Sequence, residues 1–445
     1  MNESTTNYNI DSDKYIHNIN VNGTVKDIGK VIQVTGHLII GYIPGVSLGS
    51  ICKVFPTKNA SPFLVEVVGF NNQSTYMMPL GSMLGVGLGS RIELYKKTPS
   101  ISVGNKLLGR VIDGFAKPMD ELGALKTSSE ASLYTEGYNP LMRPTIKEPL
   151  SLGVRAIDGF LTIGKGQRMG IMAGSGVGKS VLLGMMSRSS TADVNVIALI
   201  GERGREVREF IEESLGEEGL KKSVVIVATS DQSPLMRVRA AFLAMSVAEH
   251  FSGEGKDVLF MMDSVTRFAM AQREIGLSVG EPPTTKGYTP SCFALLPKLL
   301  ERAGTFENKG SITGLYTVLV EGDDMDDPIA DSVRSIVDGH IVLDRKLAYK
   351  NHYPAIDILQ STSRVMLKVT DKEHQAAASS LRDTISTYRD AEDLINIGAY
   401  KSGSNPKIDR AVVLNEHIEH FLKQSIEEKI TYEDTLNLLN QMAQS

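Results

Sequence analysis

The chain runs to 445 residues, of which 42% are hydrophobic and 22% charged, with a net charge of −5. That length predicts two or three domains, and the acidic balance argues against nucleic acid as the main partner, because such chains carry a basic excess. Cys52 and Cys292 lie far apart and read as buried small apolar residues in a reducing compartment, not as a disulfide framework.

Residues 1–22 are rich in Asn, Ser, Asp and Thr and read as a flexible arm, either a solvated tail or a segment that orders on a partner. The arm has no basic-then-apolar signal pattern, and no apolar stretch in the chain reaches ~18 residues, so a cytoplasmic location without a membrane span is expected. From residue 23 to 98 short β-type runs recur between glycines and polar turns: Thr24-Val25, Lys30–Val34, Leu38–Ile43, Ser50–Val54, Phe63–Val68, Ser74–Pro79 and Arg91–Tyr95. That spacing predicts a small antiparallel barrel. It lacks the interleaved aromatic and basic residues of a single-strand nucleic-acid platform and reads as a structural or assembly module. Residues 101–120 form a Gly-punctuated link, and Pro140, Pro144 and Pro149 mark irregular chain before the next domain.

Between about 150 and 350, apolar runs alternate with helical periodicity. The runs are Arg168–Met172, Val194–Ile200, Ser223–Thr229, Val258–Met262, Ser311–Val320 and Gly339–Leu343. This pattern predicts an α/β core with a largely parallel sheet covered on both faces, whose ligands bind beyond the C-terminal strand ends. The first run leads into Ala173-Gly174-Ser175-Gly176-Val177-Gly178-Lys179-Ser180-Val181, a P-loop in which Ala replaces the first glycine. The glycines let the backbone approach an oxyanion, and the loop and helix N–H groups point at phosphates. Lys179 is expected to reach the β- and γ-phosphates of ATP, and the Ser180 hydroxyl to ligate Mg²⁺. The second run precedes Gly201-Glu-Arg-Gly-Arg-Glu206. There Glu202 suits the orientation of an attacking water and Arg203 suits phosphate oxygens, although Glu and Arg in that place also suit a solvated helix start. The fourth run ends in Asp263, a Walker-B carboxylate for the metal shell or, alternatively, a helix N-cap. Residues 281–290 form a Pro- and Gly-shaped loop, and the acidic run of residues 322–328 suits a solvated loop or the lining of a central opening. Apolar spacing over Ala376–Tyr388, Ala391–Ile397, Ala411–Lys423 and Thr431–Met442 predicts a C-terminal helical domain.

Four stretches together resemble the rotary-type ATPase superfamily: the P-loop, Gly201–Glu206, Asp263-Ser-Val-Thr-Arg267, and Pro354-Ala-Ile-Asp-Ile-Leu-Gln-Ser-Thr-Ser363. Within it, Gly174–Ser180 and Phe293-Ala-Leu-Leu-Pro-Lys-Leu-Leu-Glu-Arg302 resemble the export ATPases of flagella and type III secretion. Phe268–Gly276 and Gly322-Asp-Asp-Met325 lean towards the flagellar branch. The resemblance implies a RecA-type core between an N-terminal β-barrel and C-terminal helices, divided at about 23–98, 99–366 and 367–445. It also implies a homohexameric ring with sites between subunits, partners among the regulator, stalk and chaperone–substrate proteins of the export apparatus, and peripheral association with the membrane export gate. Glu202 matches the catalytic glutamate, Arg203 a phosphate-contacting arginine, Tyr353 an aromatic that packs on adenine, and Arg364 an arginine finger donated by the neighbouring subunit. The other functions weighed are an injectisome ATPase, a rotary synthase catalytic subunit and a ring-shaped nucleic-acid translocase. The absent basic, aromatic barrel argues against the translocase, and Glu202 argues against a non-hydrolysing assembly subunit.

Overall fold

The structure, a computed structural model, describes residues 27–444 apart from 57–59, 126, 128, 136, 321 and 323. The arm and the Thr24-Val25 run lie outside the described residues. Two compact units meet at Pro99/Ser100.

The first unit is a closed barrel of the strands Ile28–Thr35, Leu38–Tyr42, Ile51–Phe55, Phe63–Asn71, Ser74–Pro79 and Arg91–Lys96. Every pairing is antiparallel, and Ile28–Lys30 close the barrel against Arg91–Glu93. Period-two patterning turns Val31, Ile39, Cys52, Val54, Val65, Val67, Met77 and Ile92 into a common interior. A Cβ at Gly41 would meet Ile92 Cδ1 at 2.7 Å, so only glycine fits where the wall turns in. Burial pushes the Cys52 thiol up to about 12, consistent with an inert core residue.

The second unit is built on an eight-stranded sheet in the order Ile356–Ser363, Gly339–Leu343, Arg168–Ala173, Ile312–Leu319, Val258–Asp263, Val194–Ile200, Ser223–Ala228, Arg110–Asp113. All pairings are parallel except that of Ile356–Ser363, the antiparallel edge. The central strands are apolar and buried throughout, as strands covered on both faces must be. All six strands expected from apolar runs are present. The two edge strands were not foreseen as strands. Arg110–Asp113 is only four residues long, lies inside the Gly-punctuated link, and is pinned by Arg110 donating to Asp120 at 2.7 and 2.8 Å. Ile356–Ser363 has five polar residues in eight, Asp357 and Ser361 among them buried, so it carries no apolar run.

C-terminal helices span Lys372–Asn396, Pro406–Leu422 and Tyr432–Gln444. The first is one continuous 25-residue helix, because nothing between Tyr388 and Ala391 breaks it. These helices share a core with the sheet layer. The rings of Phe160 and Phe421 meet edge-to-face at 5.9 Å, and the His374 ring contacts Gly159 O at 2.7 Å. Arg382 donates to the carbonyls of Ile358, Ser361 and Phe160. No helix among the described residues is long and apolar enough to cross a membrane.

Candidate functional site

The buried strand Arg168–Ala173 leads into the P-loop, where Gly176 (φ 78°) and Gly178 (φ 87°) adopt the left-handed backbone that glycine tolerates. The helix Lys179–Ser189 starts immediately afterwards, so the loop N–H groups and the helix N-terminus face one concavity. Three strands away, Val194–Ile200 ends just before Gly201-Glu202, and of the two strands between them Val258–Asp263 ends in its carboxylate. Three C-terminal strand ends thus bring Lys179, Glu202 and Asp263 together across 84 residues of chain. Lys179 Nζ lies 2.5 Å from Asp263 Oδ1 and 3.7 Å from Glu202 Oε1. Thr317 Oγ1 also donates to Asp263 Oδ1 at 2.7 Å. Asp263 does not cap a helix: the cap of Val265–Ser278 is Ser264, whose hydroxyl accepts from Arg267 N.

Glu202 is well buried, and Oε1 accepts no hydrogen bond. Burial is the main reason its carboxyl is pushed up to about 7; the negative charge of Asp263 adds to the rise, and Lys179 opposes it. Glu206 shares a hydrogen bond with Glu202 and sits below the usual carboxylate range for that reason first. Arg203 is 79% exposed, begins the helix Gly204–Glu209 and reaches Glu206 at 3.7 Å.

These groups surround a cleft of ≈ 740 Å³ lined by Ala173–Gly176, Gly178–Val181, Glu202, Arg203 and Glu206. Val177 is buried beneath the loop. The cleft lining supplies hard oxygen donors in the Ser180 hydroxyl and the Glu202 carboxylate, whose Oε1 has no hydrogen-bond partner; the Asp263 carboxylate is buried outside the lining, 2.5 Å from Lys179 Nζ. That set fits Mg²⁺, which takes one or two carboxylates with substrate phosphates and waters and needs no all-protein cage. No group of three or more His, Cys, Asp or Glu that could cage a metal occurs among the described residues.

Thr266, Arg267 and Arg345 also line the cleft; none of them was assigned a role from sequence, although Thr266 and Arg267 lie in the Asp263–Arg267 motif. Arg267 lies in the first turn of the helix Val265–Ser278 that follows the Asp263 strand, and its Nε is buried without a hydrogen bond. Arg345 follows the strand beside the P-loop strand, the place where parallel sheets put ligand contacts.

Tyr353 lies 41% exposed against the P-loop: a Cβ at Gly178 would sit 3.4 Å from its ring carbons Cδ1 and Cε1. It borders a second cavity of ≈ 570 Å³ shared with Asn351, Lys423, Gln424, Ser425 and Glu428. Arg364 does not line the cleft. Its N–H bonds Asp338 O, Asp338 N–H bonds Arg168 O, and Arg364 Nη1 donates to Val337 O at 3.4 Å. It therefore sits beside the start of the P-loop strand, whose other end carries Ala173.

The family description "ATP synthase alpha/beta family, nucleotide-binding domain" matches residues 153–363, and "T3SS EscN ATPase C-terminal domain" matches residues 370–441. The chain is 51% identical to the flagellum-specific ATP synthase of Bacillus subtilis over 95% of its length and 97% of the relative's. It is 47% identical to the type 3 secretion system ATPase of Xanthomonas euvesicatoria, over 92% and 93%. The assembled ATPase EscN of enteropathogenic E. coli, solved in complex with its central stalk EscO, superposes with a TM-score of 0.87 at 46% identity, covering 93% of this chain and 100% of that one. With barrel, parallel-sheet core and C-terminal helices in the same order, and with a P-loop lysine closing on two strand-end carboxylates, this chain belongs to the family of flagellum-specific ATP synthases and type III secretion system ATPases.

Proposed function

We propose that this chain is a Mg²⁺-dependent ATPase subunit of a homohexameric ring that powers or primes protein export through the flagellar type III secretion apparatus. The observation that carries the reading is the convergence of Lys179, Asp263 and Glu202 at the mouth of one P-loop. Loop N–H groups and Lys179 would hold the β- and γ-phosphates, and Ser180 and Asp263 would hold the metal. Bound Mg²⁺ neutralises charge on the phosphate oxygens. Lys179, 2.5 Å from Asp263 in this structure, would contact the phosphates once that carboxylate served the metal. Glu202 Oε1, buried and free of hydrogen bonds, orients the attacking water and takes its proton. Arg203, exposed at the rim, and Arg364 of the neighbouring subunit contact the phosphate oxygens. Tyr353 packs on the adenine.

The flagellar branch is supported by Phe268–Gly276, by Gly322–Met325 and by the 51% identity with the B. subtilis relative. The EscN–EscO complex supports a central stalk as a partner. Export regulators, chaperone–substrate complexes and the membrane export gate complete the proposed setting, on the cytoplasmic face of the membrane. Glu202→Gln tests the core of the reading. Glutamine keeps the shape and loses the base, so ATP binding is expected to stay within about twofold while turnover falls ~10²–10⁴-fold. Wild-type turnover in that variant overturns it.

A further inference from the structure

Tyr353 belongs to no strand or helix of the sheet, yet its ring is held 3.4 Å from the position of a Cβ on Gly178. Its backbone is anchored from the far end of the chain. Gln424, in the turn between the helices Pro406–Leu422 and Tyr432–Gln444, donates its N–H to Tyr353 O at 3.0 Å. The Gln424 side chain is 5% exposed and fully committed. Its Oε1 accepts Arg155 N–H at 2.9 Å, and its Nε2 donates to Gly153 O at 2.9 Å and Glu428 O at 3.1 Å. Arg155 binds the same turn through Phe421 O at 2.7 Å, Lys423 O and the Glu428 carboxylate. Gly153 and Arg155 lead into the sheet core, so the turn cannot slide without breaking several buried bonds.

We propose that Gln424 is a positioning residue for nucleotide binding: its side chain fixes the turn so that the turn's N–H holds Tyr353 against the P-loop, where a purine base packs on the ring. The inference rests on the base-packing role of Tyr353 proposed above. A base that finds its ring already placed loses less freedom on binding. Phosphates held by the loop gain nothing from Gln424.

The experiment measures Mg-ADP and Mg-pyrophosphate affinities by calorimetry on the full chain carrying Gln424→Met or Tyr353→Ala. Methionine keeps the side-chain volume and removes all three side-chain hydrogen bonds. Both variants are expected to bind ADP roughly three- to tenfold more weakly, the size of an aromatic contact, with pyrophosphate unchanged. KM for ATP rises with kcat held. If Tyr353→Ala leaves ADP affinity intact, the base-packing role fails. If Tyr353→Ala weakens ADP and Gln424→Met does not, the positioning role alone is overturned. Equal losses for ADP and pyrophosphate in Gln424→Met also overturn it, because they report general damage. Should that variant bind neither probe, Gln424→Glu, which keeps the acceptor for Arg155 N–H, must show the base-only loss.

Discussion

Arg364 is expected to act on the site of the neighbouring subunit, and the structure supplies the distance that makes the test decisive. It stands at the Arg168 end of the P-loop strand, and the phosphate loop follows Ala173 at the other end. Five steps of ~3.3 Å put about 16 Å between the two ends, further than an arginine side chain extends. Its own P-loop is therefore out of reach. An arginine finger is worth ~10³–10⁵ in rate, or about 4–7 kcal/mol. Arg364→Ala and Lys179→Ala should each be nearly inactive alone. Mixed before assembly, they regenerate intact sites wherever an Arg364→Ala subunit supplies the P-loop and its Lys179→Ala neighbour supplies the arginine. Random equal mixing makes that roughly a quarter of the interfaces of a head-to-tail ring. Steady-state ATPase should recover up to about that fraction, and less if the sites must fire in sequence. Doping a small fraction of either mutant into wild type measures that sequential coupling separately. A fully assembled mixed ring with no more activity than the separate mutants, in a system where doping shows weak coupling, refutes the trans assignment.

Two further outcomes follow from the interior. Asp158 is fully buried, accepts hydrogen bonds from Ser151 Oγ, Leu152 N–H and Gly153 N–H, and is pushed up to about 6 by burial. A carboxyl raised on folding binds its proton more tightly in the native state, so its contribution to stability falls as pH rises from about 4 through 6. The gap corresponds to roughly 3 kcal/mol at ~1.4 kcal/mol per pH unit. Asp158→Asn should lower the melting temperature at every pH, since its amide faces N–H donors, and should flatten that pH dependence; parallel melting curves against pH would refute the assignment. Phe160→Ala empties the contact with Phe421 and should cost about 3–5 kcal/mol, read as a lower melting temperature with cooperative unfolding. A loss under 1 kcal/mol would mean the helices do not rely on that ring.

What was legible in the sequence followed from local order. The P-loop needs strand, glycines and helix in immediate succession, and Arg168–Ser189 contains them all. Six sheet strands were visible because burial on both faces makes each a continuous apolar run. Arg110–Asp113 was not, because an edge strand of four residues between glycines carries neither a period nor a run. Asp263 was ambiguous between metal ligand and cap until the chain was folded. The fold removes the cap reading, because Ser264 caps the helix, and it places Asp263 beside Lys179 and Thr317, 84 and 54 residues away.

The same limit governs the base side of the site. Tyr353 and Arg364 stood out only through resemblance to a family, since nothing local distinguishes a tyrosine before a proline or an arginine after a strand. The fold places them apart: Tyr353 lies against Gly178, and Arg364 stands at the opposite end of the P-loop strand. Both come from one short stretch, residues 353–364, that includes the sole antiparallel edge strand of the sheet. An antiparallel strand runs back along its neighbour, so its two ends necessarily lie at opposite ends of the sheet. Reversing direction at this edge would let twelve residues serve both the subunit's own P-loop and, if Arg364 acts in trans as proposed, that of the next subunit. A parallel strand in that position would need a crossover connection before it, and its later residues would run towards the subunit's own P-loop instead of away from it.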